Sequence, residues 1–217
     1  MKIKYIYYYL HHLFTAKNTR GHGIHSPFVF QYVQNVIYEK HPYYIFKTIE
    51  QQRKKLLSDN TFINVTDFGA GVNRQRKISE IAQKSLKRKK FAQLLYRTAV
   101  YFKSENILEL GTSLGITTAY LAASSELAKV LTLEGCPQTA KVAEKIFDVL
   151  GLKNIDIIQG NIDHILEDTL KNTPVLDLIF IDANHRYEPL INYFEKCLTK
   201  VHANTVMFID DIYWSDG

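Results

Sequence analysis

Asn106–Glu134, NILELGTSLGITTAYLAASSELAKVLTLE, opens on a short apolar strand, Ile107-Leu108-Glu109-Leu110, and runs into a glycine loop, Gly111-Thr112-Ser113-Leu114-Gly115. A helix-like run follows, then a second apolar strand that ends on an acid, Glu134. This is one βαβ unit with a nucleotide-sized gap at its first turn. Gly111 permits a sharp backbone turn, and the bare Gly115 permits close approach of a ligand or of the sheet. Glu134 stands 23 residues after Gly111. An acid there, at the tip of the second strand, can accept hydrogen bonds from both hydroxyls of a ribose.

Outward from this unit, residues 106–217 alternate strand and helix. Strands are expected near 106–110, 129–134, 154–159, 176–182 and 204–210, and helices near 115–125, 137–150, 162–171 and 187–201. Short apolar strands separated by helices predict a parallel sheet covered on both faces. The expected fold is α/β, a Rossmann-like, doubly wound, mostly parallel sheet of core order 3-2-1-4-5. Three parts are expected: a helical N-terminal extension (1–60), a strand, turn and basic helices that join it to the core (61–105), and the core (106–217). In the extension, Gly21-His22-Gly23-Ile24-His25-Ser26-Pro27 reads as a loop between helices, with Ser26 as cap and Pro27 at a first helical position.

A second glycine turn competes with the first. Gly69-Ala70-Gly71 follows Val65-Thr66-Asp67-Phe68, but its next segment reads as a basic amphipathic helix (Arg74, Arg76, Lys77). No acid-tipped strand comes about 20 residues later; Arg88-Lys89-Lys90 stand there. A hairpin or tight turn that packs the extension onto the core is the preferred reading.

Composition narrows the class. The 217 residues are 46% hydrophobic, enough for a sizeable core. Cys136 and Cys197 are the only cysteines, which points to a reducing cytoplasm and away from a disulfide framework. No apolar run reaches the length needed to span a bilayer. The N-terminal MKIKYIYYYLHHLF mimics a signal peptide, but His11-His12 interrupt it and no small-residue cleavage site follows, so a packed amphipathic helix is expected. The net charge is +5, and residues 74–90 carry eight Lys/Arg against one acid, Glu80. RNA phosphates or an anionic substrate suit such a face, but a solvated helix surface is the default. Aromatic residues for base stacking are sparse there, Phe91 and Tyr96 only.

The glycine loop lacks G-x-G-x-x-G, because Ser113 holds the middle position. Glu109-Leu110-Gly111-Thr112-Ser113-Leu114-Gly115 resembles the E-x-G-x-x-x-G first motif of class I S-adenosylmethionine-dependent methyltransferases. The resemblance runs through residues 106–211 and is nearest to catechol-type, metal-dependent small-molecule O-methyltransferases. The segment GHGIHSPFVFQYV (Gly21–Val33) also resembles an N-terminal extension of a bacterial subset of such proteins.

The resemblance implies roles. Gly111, Thr112, Ser113 and Gly115 would shape the pocket for the methionine part of the cofactor, with Glu109 near its ammonium group and Glu134 on the ribose. Gly160-Asn161-Ile162-Asp163 is similar to the adenine-edge motif, with Asp163 or a neighbouring N–H reading the amino group; Asn161 also suits a helix cap. Asp182 ends the fourth strand and Asp210-Asp211 the fifth, so three acids would converge beside the cofactor and repel unless a positive group joins them. In metal-dependent relatives such acids hold Mg²⁺, which makes Asp182, Asp210 and Asp211 the candidate ligands of a divalent cation. His185, three residues past Asp182, is the candidate base, with a loop histidine that only bonds backbone or a carboxylate as the plainer alternative. Asn184 and Trp214 are weaker candidates for acceptor contact.

Base-methylating enzymes are disfavoured. Asp182-Ala183-Asn184-His185 contains no proline, and Cys136-Pro137 reverses the Pro-Cys order and reads as a helix entry. The expected function is methyl transfer from S-adenosylmethionine to an oxygen of a small molecule, with metal assistance, in the cytoplasm and without nucleic acid. The alternatives are an NAD-dependent dehydrogenase module and a non-catalytic partner-binding protein of the same fold. Such folds usually add two strands after the fifth, and little chain remains beyond Asp211. An apolar edge at 205–210 would then be covered by a second copy, by the extension, or by further residues of a longer protein, the last being preferred.

Overall fold

The structure is a computed structural model that describes residues 7, 11, 25–68 and 72–212. The Gly69-Ala70-Gly71 turn, residues 21–24, most of the N-terminal stretch and Trp214 lie outside the described residues. Two compact units divide the chain, Met1–His41 and Pro42–Gly217. In the first, α1 (Pro27–Tyr32) has Pro27 in its first turn and is capped by Ser26, whose Oγ accepts the Val29 N–H at 3.3 Å; a π-helical turn, Val33–Ile37, follows.

The second unit begins at Pro42 rather than at the expected boundary after residue 60. The reason is α2 (Tyr44–Ser58), whose Phe46, Ile49 and Leu56 join one buried cluster with Leu114, Ile116 and Tyr120 of the core. Each such side chain is worth roughly 1.5–3 kcal/mol when fully buried. Detaching this helix would therefore expose a large part of that cluster.

Next come β1 (Phe62–Asp67) and β2 (Val72–Lys77), an antiparallel pair with Ile63 opposite Arg76 and Val65 opposite Arg74. The two strands pair as a hairpin requires, and the expected turn at 69–71 lies outside the described residues. The helix expected over Arg74, Arg76 and Lys77 is replaced by a strand, because these residues are tied into the ladder with β1; helix begins only at α3 (Ile78–Ser85). The hairpin is joined to the core at Cys136, whose Sγ lies 3.4 Å from the Thr66 N–H and 3.6 Å from the Asn64 carbonyl. After α3 comes α4 (Lys89–Phe102).

The core is β3 (Asn106–Leu110), α5 (Ile116–Ala122), β4 (Lys129–Glu134), α6 (Pro137–Leu150), β5 (Ile155–Gln159), α7 (Ile162–Lys171), β6 (Leu176–Ile181), α8 (Tyr187–Leu198) and β7 (Val201–Ile209). The five strands are all parallel in the order β5-β4-β3-β6-β7, the expected 3-2-1-4-5. Successive residues of β3 feed opposite faces. Ile107 packs with Leu95 and Phe180, and Leu108 with Leu166 and Ile179. Both faces are covered, which explains the continuous apolar strands. Among the described residues, β7 is the outer strand of the sheet and pairs only with β6.

Two glycines set the turn above β3. Gly111 has φ 100°, and a Cβ there would lie 2.2 Å from the Asp182 carbonyl oxygen, so the tips of β3 and β6 touch through backbone. Gly115, at φ 78°, was expected to admit a ligand or the sheet. It admits α6 instead: a Cβ would lie 2.7 Å from Ala143 and 2.8 Å from the Phe147 ring.

Candidate functional site

A cavity of about 240 Å³ opens at the carboxyl ends of β3, β4 and β6, where the strand order reverses. Gly111, Ser113, Glu134, Asn161 and Asp182 line it, and so does the hairpin through Phe68 and Arg76. Gly111 directs its N–H back to the Leu133 carbonyl at 2.9 Å, which bends the loop over the tip of β4. Ser113, at φ 50°, donates its N–H to Glu134 Oε2 at 2.6 Å, and Cys136 donates its N–H to Glu134 Oε1 at 2.8 Å. Burial raises the Glu134 pKa, and these backbone donors oppose the rise. A carboxylate has about four acceptor positions, and the Thr139 hydroxyl and the Gly135 N–H also act on this one.

Glu109 and Thr112 turn away from the cavity. Glu109 is fully buried, and its Oε2 accepts the Thr118 hydroxyl at 2.5 Å and the Thr132 hydroxyl at 2.7 Å. Thr132 is also 2.6 Å from the Thr112 hydroxyl. Burial lifts the Glu109 pKa to about 8, so the group is mainly neutral at pH 7. Its Oε1 is buried without a hydrogen-bond partner among the described residues. These groups, with Gly115, form the packed base beneath the loop.

The third corner is built on α7. Asn161 caps the helix, its Oδ1 accepting the Asp163 N–H at 3.0 Å. Gly160, at φ 153°, gives its N–H to the Glu134 carbonyl at 3.0 Å. Asp163 accepts the Tyr193 hydroxyl at 2.5 Å, and it is Tyr193, not Asp163, that lines the cavity. Sequence reading missed Tyr193, Phe68 and Arg76. Arg76 is notable because its Nη2 is buried with no hydrogen-bond partner among the described residues.

Beyond Asp182 lies the acidic end of the site. Asp182 follows β6, and Asp210-Asp211 follow β7. The positive group that joins them is Lys87, whose Nζ is 3.0 Å from Asp182 Oδ1 and in contact with Asp210 Oδ2. His185 Nε2 lies 3.8 Å from Asp182 Oδ1 and 3.9 Å from Asp211 Oδ2. Burial raises the Asp182 pKa, and the Lys87 charge opposes this. A divalent cation held by Asp182, Asp210 and Asp211 does not fit this arrangement: the space between two of the three carboxylates is taken by an ammonium group. No cluster of three or more His, Cys, Asp or Glu suited to a metal is found among the described residues. Lys87 belongs to the basic run at 74–90, expected to be a solvated face. Its side chain is only 17% exposed.

Comparison with known proteins agrees with the fold. Residues 108–212 match a family model described as a methyltransferase domain. A catechol O-methyltransferase of Niastella koreensis is 35% identical over 126 residues, which are 57% of this chain and 55% of that protein. The chain thus spans about half the length of that curated relative. Among solved structures, the O-methyltransferase TomG of Streptomyces achromogenes, in complex with S-adenosylmethionine, superposes with a TM-score of 0.56 at 24% identity, over 60% of this chain and 59% of that one. An O-methyltransferase of Bacillus cereus, in complex with S-adenosylhomocysteine, superposes with a TM-score of 0.58 at 22% identity, over 85% of this chain and 72% of that one. At these identities the structural likeness is one of fold. Residues 108–212 thus resemble a methyltransferase domain, and the sheet order and glycine loop are those of the Rossmann-like fold.

Proposed function

We propose that the protein transfers a methyl group from S-adenosylmethionine to an oxygen of a small molecule. The observation that carries this reading is the cavity at the reversal point of the sheet, with the Glu134 carboxylate on one wall and the Asp182–His185 corner at its end. The lining suits the cofactor. Glu134 lines the cavity at the tip of β4, where an acid can accept from ribose hydroxyls. The unpartnered Arg76 Nη2 supplies a donor for the methionine carboxylate. Asn161 and the start of α7 meet the adenine edge, between Phe68 and Tyr193. Gly111 and Ser113 curve the loop that holds the methionine part, while Glu109, Thr112, Gly115, Gly160 and Asp163 support that wall from behind.

S-adenosylmethionine, when bound, supplies an electrophilic methyl carbon. The chain's own residues place the acceptor and remove its proton. His185 Nε2, 3.8 Å from Asp182 Oδ1 and 3.9 Å from Asp211 Oδ2, takes the proton from the acceptor hydroxyl. Asp182 further serves as the floor between cofactor and acceptor. Most of the rate comes from holding acceptor oxygen and methyl donor in line.

Isothermal titration with S-adenosylhomocysteine, followed by a screen of labelled methyl transfer to catechols and other hydroxylated small molecules, tests the reading. Binding with labelled, O-methylated product supports it. An absence of S-adenosylhomocysteine binding, unchanged by Glu134→Ala, would end it.

A further inference from the structure

The acidic corner of the site is assembled around a cation that comes from outside the methyltransferase domain. Lys87 lies in the link between α3 and α4, 21 residues before the family match begins. Its Nζ is 3.0 Å from Asp182 Oδ1 and touches Asp210 Oδ2, so one ammonium bridges the tips of β6 and β7. The link is held in place independently of those acids. The Lys87 carbonyl accepts Arg53 Nη1 at 2.8 Å. Arg53 is itself buried and gives its Nε to Glu50 at 2.9 and 3.1 Å. Two segments of the chain, α2 and the α3–α4 link, are therefore committed to delivering this one charge.

Electrostatics makes the arrangement exclusive. A Mg²⁺ ion bound to Asp182 and Asp210 would sit about 2 Å from their oxygens. Those same oxygens are occupied by Nζ, so ion and ammonium would be nearest neighbours of like sign in a half-buried site, where repulsion is weakly screened. The two carboxylates can be neutralised by the lysine or by the metal, not by both. An ammonium has three donors. Asp182 and Asp210 engage two, which leaves one for an acceptor oxygen. The same side chain borders a small cavity of about 110 Å³, lined also by Phe91, Leu94, Phe180, Phe208 and Asp210. That is room for an apolar group with its polar end at the lysine.

We propose that Lys87 is the resident cation of the acceptor site and stands in for a divalent metal: it neutralises Asp182 and Asp210, keeps Mg²⁺-class ions out, and offers an N–H to the acceptor oxygen. The identity of the acceptor oxygen rests on the methyl-transfer reading; the exclusion of metal does not.

Mn²⁺ titration followed by electron paramagnetic resonance tests the proposal without turnover. It is run on the full chain as wild type, Asp210→Asn, Lys87→Met, Lys87→Gln and Lys87→Met/Asp210→Asn, with S-adenosylhomocysteine affinity measured on the same samples. The expected result is no stoichiometric Mn²⁺ site in the wild type, and a site at least tenfold tighter in Lys87→Met or Lys87→Gln that Asp210→Asn removes. A stoichiometric wild-type site that is lost in Asp210→Asn would overturn the proposal, and so would the lack of any gain in folded Lys87 variants. The wild-type titration needs no variant to fold. Failure to bind S-adenosylhomocysteine would count against methyl transfer and leave the metal result to be read separately.

Discussion

The Ser113 N–H and Glu134 Oε2 are 2.6 Å apart, so the loop after β3 is tied to the tip of β4 by the same carboxylate proposed to hold the cofactor's ribose. Loop shape and ligand affinity are thereby coupled through one side chain. Glu134→Gln retains size but loses charge and forces an amide among backbone donors. It is expected to weaken S-adenosylhomocysteine binding by about 10–100-fold, the scale of a hydrogen bond to a charged group. Titration calorimetry checks this, and an unchanged affinity would remove Glu134 from the site.

Stability should depend on pH through Glu109. Its pKa is about 8 in the fold and near 4.5 when exposed, the shift being caused first by burial. Between those values the unfolded chain releases a proton that the folded chain retains. Stability from this group is complete below about pH 4.5, falls as pH rises through 8, and then levels off. The slope is at most about 1.4 kcal/mol per pH unit. Glu134 and Asp182 are shifted the same way, so Glu109→Gln should flatten the fall in melting temperature from pH 5 to 8 without abolishing it.

Gly115 separates packing from binding. Alanine there must adopt φ 78° and press on Ala143 and Phe147. The expected loss is about 1–3 kcal/mol, or roughly 2–12 °C in melting temperature. Because the strain falls on the α5–α6 contact, S-adenosylhomocysteine affinity of the folded fraction should change less than in Glu134→Gln. Differential scanning calorimetry and titration on the same sample make the comparison.

The central part of this molecule is legible because its signals are local. Ile107–Leu110, the two glycines and Glu134 lie within one βαβ unit, and apolar runs separated by helices suffice to order five parallel strands. Where partners are distant, the sequence is mute. Lys87 reads as one more cation in a basic run, since its acids lie 95 and 123 residues away. Arg74 to Lys77 read as an amphipathic helix because side-chain charge says nothing of the ladder to β1 that makes them a strand. Glu109 looks like a cofactor contact until Thr118 and Thr132, from α5 and β4, are seen to enclose it.

Arg76 offers a test of which part of the cofactor faces the hairpin. Its buried Nη2 has no partner among the described residues, so the fold gains little from it. Arg76→Ala should leave the melting temperature within a few degrees. It should also weaken S-adenosylhomocysteine about 10–100-fold while leaving 5′-methylthioadenosine, which lacks the carboxylate, bound as before. Equal losses for both ligands would place the guanidinium elsewhere.

His185 carries the chemical part of the proposal. It stands 3.8 Å from Asp182 Oδ1 and 3.9 Å from Asp211 Oδ2. Its side chain is not part of the cofactor cavity wall formed by Gly111, Glu134 and Asn161. His185→Asn should therefore keep S-adenosylhomocysteine affinity within about twofold while lowering kcat by roughly 10²–10⁴-fold, the contribution of a positioned base. The comparison is made on whichever hydroxylated acceptor the labelled screen identifies. If kcat survives and only KM rises, the imidazole positions the acceptor and another group receives its proton; the Asp211 carboxylate, 3.9 Å away, is then the next to substitute.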